Sequence, residues 1–94
     1  MALNTIQVTL GAAKTQVSAT SIPVRQVSIQ NNAAAVVRVG DANVSSTRGY
    51  SLNPSTVGYG GSITFGELGS YNIDLKDLWL LGTNTQVIDV IYID

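Results

Sequence analysis

The chain contains neither cysteine nor histidine. Without thiols there is no disulfide and no thiolate zinc site to reinforce a small fold, and the redox compartment leaves no trace. Without imidazole, serine- and cysteine-centred triads lack their usual base, and metal sites lack a common nitrogen ligand. Lys14 and Lys76 sit among polar residues, with no sign of the burial that depresses a lysine pKa, so a lysine-based variant is not expected. Charge is scarce as well. Only 12% of residues are Asp, Glu, Lys or Arg, against about 25% in an ordinary soluble domain. Five basic residues against six acidic ones, a formal net charge of -1, give no electrostatic footprint for nucleic acid. The longest apolar run, Ala33-Ala34-Ala35-Val36-Val37, falls far short of the roughly 20 residues of a membrane span. No basic segment followed by an apolar run opens the chain, so a signal peptide is not read there. Asn43-Val44-Ser45 fits the glycosylation pattern, but with no secretion signal it reads as chance. These absences argue against an enzyme, a nucleic-acid binder and a membrane protein, and no cofactor or metal is expected.

What is present is neutral polarity around a large apolar fraction. Hydrophobic residues make up 45% of the chain, and Ser, Thr, Asn and Gln supply 30 of its 94 residues. Such a length makes one small domain, 1–94, burying roughly two-thirds of its unfolded surface. Charge-depleted surfaces are typical of interface cores, and near-zero net charge favours association. A protein that works while assembled on other protein surfaces is the expectation.

The periodicity is that of strands. Tyr71, Ile73 and Leu75 alternate with Asn72 and Asp74, the two-residue period of a half-buried strand. Leu78-Trp79-Leu80-Leu81 and Val87 to Ile93 are apolar on both faces, which predicts cover on both sides. Gly82-Thr83-Asn84-Thr85 between them predicts an antiparallel hairpin, with Trp79 in the core. Earlier in the chain, Ile6, Val8 and Leu10 share one face of a strand over Thr5 to Leu10. Lys14 to Thr20 reads as a short strand or edge, and Pro23 precedes another strand, where a missing N–H is tolerated. Within Ile22 to Gln30 the apolar parity changes, from Ile22 and Val24 to Val27 and Ile29. A β-bulge at Arg25-Gln26 restores one inward face, and is preferred over a strand buried on both sides. Asn31-Asn32 signals a turn, and Ala35 to Val39 is expected to pair with the preceding strand.

Between Val44 and Gly61 the pattern thins into turn formers, with Tyr50 and Leu52 among them, and Gly58-Tyr59-Gly60-Gly61 is permissive backbone. This stretch, 44–61, is expected to be an excursion from the sheets that reaches a neighbour or frames a rim. Ser62 to Phe65 forms a short strand with Ile63 and Phe65 inward, and one helical turn at most forms near Asp74 to Leu78. Eight or nine short strands at roughly ten-residue spacing predict an all-β fold, an antiparallel β-sandwich of jelly-roll type.

The candidate sites are few. Asp74 and Asp77 flank Lys76, which opposes a cation, so solvated strand-end charges are favoured over calcium ligands. Asp89 interrupts an apolar strand, and either pairs with Arg38 or Arg25 or lies on a solvent face. Trp79 with Tyr50, Tyr59 and Tyr92 offers a sugar-stacking platform only if the tryptophan is exposed, and its apolar neighbours favour burial.

Three segments carry a family resemblance: Ile22-Pro23-Val24-Arg25-Gln26-Val27-Ser28-Ile29-Gln30-Asn31; Val36-Val37-Arg38-Val39-Gly40-Asp41; and Val44-Ser45-Ser46-Thr47-Arg48-Gly49-Tyr50-Ser51-Leu52. Together with the closing Ile73-Asp74-Leu75-Lys76-Asp77-Leu78-Trp79, they resemble small virion structural proteins of tailed bacteriophages. The resemblance implies a capsid decoration or cement protein that binds the outer surface of the major capsid lattice as a homotrimer. Its partners would then be the major capsid protein and further copies of itself, and it would reside on the virion after passing through the host cytoplasm. A tail, fibre or baseplate component is the nearest alternative, and a small carbohydrate-binding module a more distant one. Arg48, Tyr50 and Tyr59 in the excursion, and Leu3 in an N-terminal arm of residues 1–4, are the expected contacts, since Arg and Tyr are enriched at binding hot spots.

Overall fold

A computed structural model describes residues 2–55, 60–66 and 73–94. Its strands are β1 (Leu3–Thr9), β2 (Thr15–Gln16), β3 (Pro23–Val24), β4 (Gln26–Gln30), β5 (Val37–Gly40), β6 (Tyr50–Leu52), β7 (Ser62–Gly66), β8 (Ile73–Asp74), β9 (Trp79–Leu81) and β10 (Val87–Ile93). They form two four-stranded antiparallel sheets, ordered β1-β10-β4-β7 and β2-β9-β5-β6, and a small β3-β8 pair. The chain crosses repeatedly from one sheet to the other, giving the eight-strand, two-Greek-key arrangement of a jelly roll. The expected sandwich is therefore present, and β3 and β8 are short additions to its eight main strands.

Inward residues alternate along each strand, and the two sheets close on them. Val8, Val27, Ile29, Ile88 and Val90 from the first sheet meet Val37, Val39, Leu52 and Leu80 from the second. The parity change near Arg25 has a concrete outcome. The strand is interrupted at Arg25, so Val24 pairs with Ile73 in the small sheet while Val27 pairs with Tyr92 and Phe65. Val24, Val27 and Ile29 are all fully buried. The bend lets residues of opposite parity reach one core.

Two expected hairpins do not form. β4 pairs with β10 and β7, whereas β5 pairs with β6 and β9, so the turn after Gln30 carries the chain between sheets. The Gly82–Thr85 connection does the same between β9 and β10. Turn-forming residues end a strand without stating whether the next one lies beside it or across the core. Among the described residues, the expected cover on both faces of β10 is also absent. Ile88 and Val90 are buried, while Val87 and Ile91 on the outer side are 36% and 39% exposed.

The crossing from β4 to β5 is fastened by Asn31, a fully buried polar residue. Its Nδ2 donates to the carbonyls of Ala35 (2.9 Å), Leu52 (3.0 Å) and Asn53 (3.1 Å), and its Oδ1 accepts from the Ala33 N–H at 2.8 Å. Its own N–H donates to the Gly61 carbonyl at 2.9 Å. Gly60 packs so closely that a Cβ would lie 1.6 Å from the Asn31 carbonyl oxygen. That glycine serves close approach between backbones, a different need from the permissive turn expected of it. Residues 58, 59, 71 and 72, on which parts of the expected loop and strand fall, lie outside the described residues.

Candidate interaction surface

Arg48 and Tyr50 lie at one exposed corner of the second sheet. The chain leaves β5 at Gly40, and Asp41 Oδ1 accepts from the Asn43 N–H at 2.9 Å, closing an Asx turn. Val44 then inserts into the protein and is buried. Ser45 and Arg48 bridge through their backbones, at 2.9 and 3.3 Å. Gly49 takes a φ of +124°, and a Cβ there would approach Val44 Cγ2 to 2.8 Å and the Val39 carbonyl to 2.9 Å. Only glycine fits that position without rearrangement. From β5, the Arg38 guanidinium donates to the Gly49 carbonyl at 2.7 Å and to Ser51 Oγ at 2.6 Å. Arg38 therefore braces the loop instead of pairing with Asp89.

This bracing presents Tyr50 with 57% of its surface exposed and leaves the Arg48 side chain exposed beside it. Arg48 borders a shallow hollow shared with Gly40, Asp41, Phe65, Asp77 and Leu78. The expected excursion is thus partly sheet, since Tyr50–Leu52 pairs with β5. Leu3 belongs to the other sheet, on edge strand β1, and is 66% exposed. Residues 3 and 4 of the expected arm are ladder residues opposite Ile93 and Tyr92. Tyr59 lies outside the described residues. The structure consequently groups Arg48 with Tyr50 and places Leu3 on a different element.

Asp89 sits on the outer face of the first sheet. It accepts from Gln7 Nε2 at 3.1 Å and from Asn32 Nδ2. Its partners are neutral amides, not either of the arginines considered from the sequence. Around it, Thr5, Gln7, Ser28, Gln30 and Ser62 line an open hollow with Ile91, and Ser28 and Thr64 hydroxyls meet at 2.7 Å. Asp89 is the one ionisable residue among the outward positions of β1, β10, β4 and β7.

Trp79 is on the outside too, a correction to its expected core position. Leu80 takes the inward site of β9, and Trp79, half-buried, pairs with Gln16 and Gly40. Lys14 Nζ lies 5.4 Å from the indole centroid and also donates to the Ala42 carbonyl, so it roofs the ring. Tyr92 instead packs against the core. Trp79, Tyr50 and Tyr92 thus do not share one open platform.

Asp74 is structural in its contacts. It caps the 3-10 turn Leu75–Asp77, the single helical turn expected there, by accepting from the Lys76 N–H at 2.9 Å. It also accepts from Ser21 Oγ and from the Ile22 N–H at 2.9 Å. The Ser21 hydroxyl, followed by the backbone donors and the nearby Lys76 charge, holds its carboxyl below the ordinary value of 3.8. Among the described residues no three acidic side chains come together as a metal cluster.

No protein-family model matches the chain, and no curated protein or solved structure shows significant similarity to it.

Proposed function

We propose that this chain is a non-enzymatic virion structural protein of a tailed bacteriophage, a decoration protein that seats on the outer capsid surface and braces the shell. The observation that supports the reading is a nearly uncharged face: Asp89 is the lone ionisable group on the outer strand positions of the first sheet. A face with so little charge loses little desolvation energy when another protein covers it. The resemblance of the valine-rich and Ser-Thr-Arg-Gly segments to such proteins supplies the partner. The mechanism is physical. Binding the assembled shell, but not its separated subunits, stabilises the shell by mass action, and repetition over a symmetric lattice multiplies a modest contact.

Arg48 and Tyr50 form the contact corner in this reading, held by Gly49 and Arg38. Labelling virions with antibody raised against the chain is the direct test. Label over the head supports decoration; label confined to the tail transfers the chain to the tail or baseplate class, and unlabelled particles end the proposal. On heads that carry it, Arg48→Ala or Tyr50→Ala lowers affinity by about tenfold, or ~1.4 kcal/mol, measured as occupancy against added protein. Unchanged occupancy would remove the corner from the contact.

A further inference from the structure

We infer that β1 is a self-pairing edge, through which two copies of this chain join their first sheets into one continuous antiparallel sheet. The inference is independent of the capsid reading. β1 lies at the end of the order β1-β10-β4-β7, with β10 as its one partner strand among the described residues. The Leu10 N–H reaches the Gln86 carbonyl at 2.8 Å and the Asp94 N–H reaches the Ala2 carbonyl at 3.1 Å. In the register Leu3↔Ile93 to Thr9↔Val87, even-numbered residues of β1 therefore turn their backbone groups toward β10. Alternation in an antiparallel ladder turns those of Leu3, Thr5, Gln7 and Thr9 outward. All four of these residues are exposed.

Edge strands that must stay single are normally protected by lysine, proline, a bulge or shortness. β1 has none of these among its seven residues, Leu-Asn-Thr-Ile-Gln-Val-Thr, and it pairs with β10 without interruption. The outward positions are symmetric about Ile6. A second β1, antiparallel and centred on that residue, sets Leu3 opposite Thr9 of the other copy and Thr5 opposite Gln7, so that every outward amide meets an outward carbonyl. Because paired residues share a face, the exposed Leu3 also comes into line with the other copy's Thr9 and the neighbouring Val87, the latter 36% exposed. The aliphatic ends of the two sheets thereby form common strips. The two Asp89 carboxylates remain three strand spacings apart, over about 14 Å, where salt screens their repulsion. The arrangement is isologous, so it closes at two copies.

Light scattering over a dilution series tests this on the intact chain. The expected species is a dimer of the 9.9 kDa chain. The Thr5→Lys/Gln7→Lys pair sets lysine opposite lysine, and should raise the dissociation constant by about tenfold or more, with an unchanged circular dichroism spectrum. Thr5→Glu/Gln7→Lys places opposite charges across the same two positions, keeps a donor beside Asp89, and should restore the dimer. Wild-type protein that is monomeric throughout, or trimeric, overturns the inference. A dimer indifferent to the double lysine change does so as well, and failure of the charge swap to recover association rejects the pairing centred on Ile6. If the double-lysine variant is misfolded, the charge-swap variant carries the test: a folded monomer overturns it, and a folded dimer supports it.

Discussion

Single residues decide whether the crossings hold. Asn31 is the clearest case, because one buried amide serves three carbonyls and one N–H from different parts of the chain. Alanine there leaves those groups without their partner, and buried groups without partners cost more than the average bond is worth. Asn31→Ala is expected to lower unfolding free energy by about 2–4 kcal/mol, read from denaturant midpoints. Asp74 offers a pH readout. Its folded-state pKa is lowered, chiefly by the Ser21 hydroxyl, so the folded state favours the ionised form. That contribution is fully present above the unfolded value of 3.8 and is lost as pH falls toward the lower folded value. Asp74→Ala should therefore show a shallower fall in stability below about pH 5 than the parent chain, measured by thermal melts at stepped pH. Equal slopes would mean that the Ser21 and Ile22 contacts do not favour the carboxylate.

At the level of strands, alternation was readable wherever one face is apolar and the other polar. Ile6, Val8 and Leu10, or Val37 and Val39, could be assigned inward because Thr9, Gln7 and Arg38 mark the other side. Where both faces are apolar the signal vanishes, and this is why the sequence reads Trp79 as core and β10 as covered twice. Arg48 and Tyr50 stand out in the sequence by residue type alone, while their meeting at one exposed corner and its bracing by Arg38 do not, since both depend on β5 lying beside β6. The pairing of β1 with β10 joins opposite ends of the chain, and no local pattern announces it. Face assignment in β10 is open to measurement. Ile88→Ala removes fully buried methyl groups and is expected to cost about 2–5 kcal/mol. Ile91→Thr, on the outer side, should stay within about 0.5 kcal/mol. Comparable losses at both positions in dilute protein would contradict the stated orientation.

Taken whole, the molecule joins a neutral exterior to a scaffold of distant strand pairings. Its separate surfaces divide the possible contacts. The Arg48–Tyr50 corner lies on the second sheet, and the self-pairing edge on the first, so one can be altered while the other is tested. The meeting of Ala2 with Asp94, through the Ala2 N–H on Asp94 Oδ1 at 2.8 Å and the Asp94 N–H on the Ala2 carbonyl at 3.1 Å, brings residues 2 and 94 to one spot. A gene that splices Asp94 of this sequence to Ala2 through a brief linker, and opens instead in the exposed bend around Ala42, is expected to retain the described strand neighbours while reversing which half a ribosome makes first.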